Sequence, residues 1–430
     1  VPFDPVDFCT KLLNYTPTSY QRELLAALPS GSKRIVLRWA RQSGKTQSLA
    51  SAIIWFCATR PGSLALIVAP GLRQSMILRD KVHALIDRMP KERRRALIRR
   101  RLRTTITLRN GSTIVALPNS ENLLRGYTAN LVVCDEAAFF HNDEAIFTGV
   151  LTPMLATTDG AMIVSSTPWG TKTIFHQLNH DPDWQLIHVP WTRALQEGVY
   201  KPTFTTEVEK IKATNPQHYR MEYEAEFAED TDTWLPQDLL AKAVSGDLNY
   251  IPFDKRATGD FYAGVDLAER VDHTAIAVLR RSGDTLQLAH THTFPLGASL
   301  ASTIGYLKTL HDRWTRIHVV YVDNTKHGDY IITDIHEAGV SEAEGIHFTQ
   351  QRKQEMAQLL RQRLAEGTLK LPYDRRLLDE LNTETYTLTK TGAITLEHPY
   401  GTHDDTFWAL ALATLAAEKN QKQQKPIAIT

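Results

Sequence analysis

The segment RIVLRWARQSGKTQSLASAIIWF, residues 34–56, constrains this chain more than any other. It reads as an apolar, β-branched strand, a short polar loop, and a helix with apolar periodicity that starts near Lys45. A Gly-Lys-Thr triplet alone is a common accident. Between a strand and a helix it is what a phosphate-binding loop requires. In that reading the backbone N–H groups of Gln42, Ser43 and Gly44 and the helix start face phosphate oxygens. Lys45 reaches the β and γ groups, and the Thr46 hydroxyl binds Mg²⁺. Gly44 lets the backbone come close. The general pattern puts its first glycine where this chain has Trp39.

A second element supports the same chemistry. NLVVCDEAAFF, residues 130–140, is a buried strand that ends in two acids. Asp135 is assigned to the metal of a bound nucleotide and Glu136 to the attacking water. Alone, paired acids at a strand end are usually turn residues; after a phosphate loop they gain a function. IVSSTPWG, residues 163–170, adds a strand tip whose hydroxyls, Ser166 and Thr167, are placed to sense the γ-phosphate.

Between residues 20 and 170 amphipathic helical stretches alternate with strand-like runs at Arg34–Leu37, Leu64–Val68, Leu131–Cys134 and Met162–Val164. This pattern predicts a parallel α/β sheet flanked by helices. At 430 residues two domains are expected. Residues 1–200 are read as the nucleotide domain and 201–255 as a helical closing subdomain and linker, interrupted at Asp230, Thr231 and Asp232. Residues 256–417 are read as a mixed-sheet α/β domain with a hairpin at Ser282–Asp284, and 418–430 as a mobile polar tail.

Composition excludes more than it assigns. Apolar residues at 42% and charged residues at 23% describe a globular protein. The net charge of +1 provides no global field for nucleic acid, so DNA contact must come from local basic surface. The run PKERRRALIRRRLR, residues 90–103, is either a phosphate-contacting helix or a solvated face. Cys9, Cys57 and Cys134 have no metal or disulfide spacing. No membrane span or export signal is expected, and a reducing cytoplasm fits.

The second domain carries acids at the ends of elements: Asp266 after FYAGV, Asp323 after IHVVYV, and Asp404 with Asp405 before TFWALALATLAAE. Such carboxylates can converge on two divalent ions, Mg²⁺ or Mn²⁺, one activating water and the other stabilising a leaving 3′ oxygen. Singly, each can be a turn former or a helix cap. His403 is read as an aid to metal or phosphate or as plain surface. Asp272 is read as a turn former, and Lys326 and Lys353 as contacts to a DNA backbone.

Taken in order, YTPTSYQREL, RWARQSGKT, APGLRQS, LVVCDEA and SSTP resemble the ATPase half of the large terminase subunits of tailed double-stranded DNA viruses. GVDLA with DHTAIAV, VDNTKHGD and GTHDDTFWALALA resemble the RNase H-like nuclease half. The resemblance implies a loop without its first glycine, Arg41 on the γ-phosphate of its own site, and Gln21 at the adenine edge. It sets Arg125 where related motors place an arginine that reaches a neighbouring subunit; a surface arginine is the other reading. It further implies ATP-driven movement of viral double-stranded DNA into a procapsid and metal-dependent cutting. The implied partners are a portal protein, a small terminase subunit and further copies in a ring. The implied place is the host cytoplasm, transiently at the portal and not in the mature virion. Two other readings remain: a helicase-type ATPase with an RNase H-like scaffold, and a nuclease with a structural ATPase module.

Overall fold

In the computed structural model, which describes residues 4–228, 232–267, 273–388, 394–399 and 402–424, contacts divide the chain into two units. The first holds Val1–Glu229 and Val244–Asp247, the second Asp230–Ala243 and Leu248–Thr430. The stretch 201–255 is thus shared between them. Its helices Phe204–Thr214 and Pro216–Glu222 belong to the first unit, and Gln237–Ala243 to the second. Asp230, Thr231, Asp272 and residues 425–430 of the expected tail lie outside the described residues, while residues 418–424, expected as the start of that tail, continue the helix Asp405–Gln424.

Eight strands form the sheet of the first unit: β1 (Arg34–Trp39), β2 (Leu64–Ala69), β3 (Ile98–Arg101), β4 (Thr105–Leu108), β5 (Thr113–Pro118), β6 (Leu131–Asp135), β7 (Ala161–Ser166) and β8 (Gln185–Val189). Their order is β3-β4-β5-β2-β6-β7-β1-β8. From β5 to β8 every pairing is parallel. β2 and β6 are apolar and buried almost throughout, as a parallel sheet covered on both faces demands. The helix Lys45–Thr59 follows β1 and buries Leu49, Ile53 and Phe56 in the core.

The basic run takes neither simple form. Lys91–Leu97 is helical, and the chain then turns into β3, one of the sheet's two edge strands, paired antiparallel with β4. Arg94 and Arg101 both pair with Asp87, at 3.2 and 2.8 Å. β-branched Ile98 and the neighbouring Thr105–Leu108 strand favour extended backbone, and arginines on an edge oppose edge-to-edge association.

In the second unit six strands pair in the order β13-β12-β9-β10-β11-β14. They are β9 (Asp260–Asp266), β10 (Ala275–Ser282), β11 (Thr285–Thr293), β12 (Ile317–Asp323), β13 (Ala343–Ile346) and β14 (Leu369–Lys370). β10 is antiparallel to β9 and β11, while β12 runs parallel to β9, which makes the sheet mixed. Ser282 pairs with Thr285 across a two-residue turn whose Gly283 has φ 61°, as the hairpin reading anticipated. A separate ribbon joins β15 (Thr385–Leu388) and β16 (Ile394–Glu397). Among the described residues, no helix is long and apolar enough to cross a membrane.

The helix Asp405–Gln424 lies directly on β9. Its approach requires Gly264: a Cβ there would stand 2.7 Å from Leu412 Cβ and closer still to the backbone of Ala409 and Ala413. Gly264→Ala is therefore expected to destabilise the second unit by about 3 kcal/mol or more, because backbone cannot yield as a side chain can. Denaturant unfolding of the full chain checks this, as a lowered midpoint for that unit.

Candidate nucleotide and nuclease sites

Strand order assembles the first site. β7 lies between β6 and β1, so the hydroxyls at its tip separate the acids of one neighbour from the loop of the other. The loop turns through left-handed backbone at Gln42 (φ 58°) and Gly44 (φ 91°) before Lys45 opens the helix. Thr46 is half-buried in its first turn. Gln21 is 5% exposed, and its Oε1 accepts the Thr18 N–H at 3.0 Å. Its Nε2 lies 2.7 Å from where a Gly44 Cβ would be, so the glutamine is seated against the phosphate loop.

Trp39 has a structural role where the general pattern has glycine. Fully buried at the end of β1, it meets the Tyr20 ring edge-on at 5.0 Å, and Tyr20 donates to the Ser43 carbonyl at 2.8 Å. The loop is thus braced by two aromatic rings. Trp39→Ala is expected to cost about 3 to 5 kcal/mol through the cavity it leaves, read as a lowered unfolding midpoint of the first unit.

Lys45 Nζ sits 3.0 Å from Glu136 Oε1 and 3.7 Å from Asp135 Oδ1. Burial works against its charge, but Glu136 and Asp135 outweigh this and raise its pKa. Asp135 is pushed up, chiefly by burial, with Lys45 opposing and Glu136 adding to the rise. Ser165 Oγ donates to Asp135 at 2.7 Å, and Ser166 Oγ to Glu136 at 3.3 Å. Asp135 pairs in register with Ser165 across β6 and β7, so adjacent serines grip adjacent acids. Glu136 has φ 55°, a strained backbone for a non-glycine residue, which turns its carboxylate away from the strand direction. Thr167 is buried at the same tip. Lys45 spans the space where phosphates are expected, and an arriving γ-phosphate would compete with Glu136 for it.

Two residues here escaped the sequence reading. Ser165 is one, hidden by its resemblance to an ordinary strand residue. Glu222 is the other: it is 1% exposed, its carbonyl accepts the Arg41 N–H at 2.8 Å, and its Oε2 lies 3.5 Å from Arg41 Nη1. No local signal marks it, because the contact joins residues 181 positions apart. Arg125 is elsewhere in character. Its side chain is 67% exposed and pairs with Glu121 within its own helical turn.

In the second unit a cavity of about 570 Å³ is lined by Asp266, Asp323, Asp404 and Asp405, together with Lys326, Lys353 and Trp408. β9 and β12 are neighbouring parallel strands, so Asp266 and Asp323 emerge side by side, and the final helix brings the other two. Burial, then the carboxylates of Asp323, Asp404 and Asp405, push Asp266 well above the usual carboxylate range, while Lys353 pulls it down. Trp408 Nε1 donates to Asp404 Oδ2 at 2.6 Å, and Thr325 N–H to Asp323 Oδ1 at 2.9 Å. Lys353 Nζ lies 4.5 Å above the Trp408 ring. His403 Nδ1 is 3.9 Å from Asp405 Oδ2, and its ring meets that of His273.

Among the described residues, no three carboxylate, imidazole or thiol groups stand close enough to hold one ion as placed. The donor chemistry nonetheless fits a hard divalent cation: four carboxylates share one cavity, and Asp323, Asp404 and Asp405 add to the cost of ionising Asp266. Two of them are turned to the donors of Trp408 and Thr325. Both Asp404 and Asp405 reach the cavity. Sequence reading missed Glu380 and Glu384, which lie beneath these acids and are pushed up to about 7 and about 9, each chiefly by burial.

The same two halves appear in comparison with known proteins. Residues 13–174 match the family described as "Phage terminase large subunit gpA, ATPase domain", and residues 263–417 match "Terminase RNaseH-like domain". A large terminase subunit of Thermus phage G20c is 25% identical over 458 aligned positions, covering 95% of this chain and 89% of that one. That of Thermus virus P23-45 is 24% identical over the same extent. The crystal structure of the HK97 bacteriophage large terminase is 12% identical, with a TM-score of 0.45, and covers 96% of this chain and 98% of that chain. With an ATPase family and a nuclease family matched in this order, each over the unit that holds the corresponding site, the chain belongs to the phage large terminase subunits.

Proposed function

We propose that this chain moves viral double-stranded DNA into a procapsid by ATP hydrolysis and cuts that DNA in a metal-dependent reaction. The observation that carries the reading is the pairing of two chemically distinct sites on one chain, a phosphate loop facing Asp135 and Glu136 and a cavity ringed by four aspartates.

In the first site Lys45, Thr46 and the loop amides hold the triphosphate, Glu136 orients the attacking water, and Arg41 neutralises the γ-phosphate. Ser166 and Thr167 register loss of the γ-phosphate from the tip of β7. A magnesium ion, held by Thr46 and Asp135, supplies charge neutralisation when bound. Gln21 supports the loop at Gly44 in addition to its expected reading of adenine.

In the second site Asp266, Asp323, Asp404 and Asp405 are the proposed ligands of two divalent ions, which supply an activated water and stabilise the departing 3′ oxygen. Lys326 and Lys353 bring positive charge to the same cavity, where the phosphodiester backbone must enter. Portal protein, small terminase subunit and a ring of copies are the proposed partners, with Arg125 offered to a neighbouring copy. The place of action is the host cytoplasm and, transiently, the procapsid portal.

One pair of measurements tests the reading. Purified protein should hydrolyse ATP and nick plasmid DNA with Mn²⁺. Glu136→Gln should lose the first activity alone, and Asp323→Asn the second alone. A chain that hydrolyses ATP but never cuts would be a helicase-type ATPase, and one that cuts without ATP turnover would be a nuclease with a structural ATPase module.

A further inference from the structure

Lys353 lines a cavity with four aspartates, yet among the described residues it forms no salt bridge with any of them. Its Nζ lies instead over two aromatic faces, 4.5 Å from the centre of the Trp408 ring and 5.5 Å from that of Phe348. The two rings pack together at 5.6 Å, and Trp408 is buried. Each ring is also tied to an acid. Trp408 Nε1 donates to Asp404 Oδ2 at 2.6 Å. The Phe348 N–H donates to Thr325 Oγ1 at 2.7 Å, and the Thr325 N–H to Asp323 Oδ1 at 2.9 Å. A bracket thus runs from Asp323 through Thr325, Phe348 and Trp408 to Asp404, with the lysine on its aromatic middle. The lysine's helix, Gln350–Ala365, is capped by Thr349, whose hydroxyl accepts the Arg352 N–H at 3.1 Å. The backbone of Lys353 is therefore fixed in the first turn, and only its flexible stem chooses between ring and carboxylate. Its charge is still felt at Asp266, which places the ammonium within range of the acids.

We propose that Trp408, backed by Phe348, is a positioning residue that parks the Lys353 ammonium on an aromatic surface and so keeps it off the aspartates. The inference rests on the nuclease reading above and adds to it the reason why a lysine and four carboxylates can share one cavity. Without the rings the ammonium would close onto a carboxylate, because opposite charges a few ångströms apart attract strongly where water is partly excluded. Such a pair would occupy an oxygen wanted by a divalent cation and hide the ammonium from a phosphodiester. A ring face satisfies the ammonium through its quadrupole and uses up no carboxylate. The hold is weaker than a charge-assisted bond, so an incoming phosphate can draw the lysine away. The edge of the indole meanwhile keeps Asp404 in place. One side chain thereby separates the two charges, the anion at its edge and the cation on its face.

The test is Mn²⁺ binding to the full chain without DNA, read from the electron paramagnetic resonance signal of the free ion. Trp408→Phe and Trp408→Leu both lose the N–H that reaches Asp404, and only phenylalanine keeps a ring face for the lysine. The leucine variant should therefore bind Mn²⁺ about tenfold more weakly than the phenylalanine variant, a loss of the size seen when groups behind a metal ligand are altered. In a Lys353→Met background the two variants should differ by less than about twofold, since no ammonium remains to close onto the aspartates. A merely structural role for the ring would leave the difference intact in that background. Should circular dichroism show that Trp408→Leu does not fold, Phe348→Leu, which takes away the second ring, should weaken Mn²⁺ binding in the same lysine-dependent way. Equal affinities in the phenylalanine and leucine variants overturn the proposal, as does a difference that survives Lys353→Met. Wild-type protein that binds no Mn²⁺ overturns the nuclease reading itself, a separate and recognisable result.

Discussion

Lys45→Ala is expected to reduce ATP turnover by about a thousandfold or more while leaving Mn²⁺-dependent cleavage of plasmid DNA within about twofold of wild type. The lysine contacts both Asp135 and Glu136, at 3.7 and 3.0 Å. Its removal takes away the group proposed to draw the β and γ oxygens into place. It also leaves two carboxylates facing each other in a largely buried site, with Asp135 already pushed up by burial. Asp135, without Lys45 to oppose the rise, should therefore hold its proton to higher pH in the variant than in wild type. Phosphate release measured in steady state, alongside nicking of supercoiled plasmid, separates the two activities. Loss of both together would mean that the substitution unfolds the chain, which circular dichroism would reveal.

Asp266→Asn should abolish cleavage, by about a thousandfold or more, and at the same time raise the unfolding midpoint of the second unit in metal-free buffer. The two effects have one cause. Asp266 is destabilised by burial and by Asp323, Asp404 and Asp405, and asparagine relieves the repulsion while losing the proposed metal ligand. The pH dependence follows with a definite sign. A carboxyl raised above its ordinary value of 3.8 binds its proton more tightly in the folded chain than in the unfolded one. Its destabilising effect is absent below that value and grows as pH rises toward the folded pKa. Glu380 and Glu384, pushed up to about 7 and about 9, act in the same direction. Metal-free protein should thus lose stability as pH rises from about 4 through the neutral range, and saturating Mn²⁺ should restore about 3 kcal/mol at a hundredfold excess over its dissociation constant. Unfolding scans with and without Mn²⁺ across that range decide it; a metal-free midpoint that rises with pH would contradict the crowding of carboxylates.

Much of this was legible in the sequence because it depends on neighbours along the chain. The strands at Arg34, Leu64, Leu131 and Met162 announced themselves as apolar runs, and the turn at Gly283 as a small polar break between two of them. The placement of Lys45 before a helix and of Asp135 after a strand followed from the same local rules. What the sequence withheld depends on partners chosen in space. Trp39 reads as a defect in a glycine-rich pattern until Tyr20 is seen against it. Glu222 is one acid among many in a charged stretch until Arg41 is found beside it. Trp408 looks like part of an apolar helix, yet its ring nitrogen fixes the carboxylate of Asp404. The arginine run at Arg93–Arg103 failed in a different way: helix propensity favoured continuation, and pairing with Thr105–Leu108 drew its second half into the sheet.

The missing side chain at Gly264 reaches further than stability. Two residues before Asp266, the strand backbone and the helix that begins with Asp405 touch without any side chain between them. Flexible side chains would give such a joint some slack, whereas here strand and helix form a tight bearing, and the acids at its rim inherit its alignment. Ala409 and Ala413, which have no chemistry of their own, thereby govern how accurately the carboxylates face one another. Selection for accurate cutting would be felt at these featureless positions as strongly as at the aspartates they align.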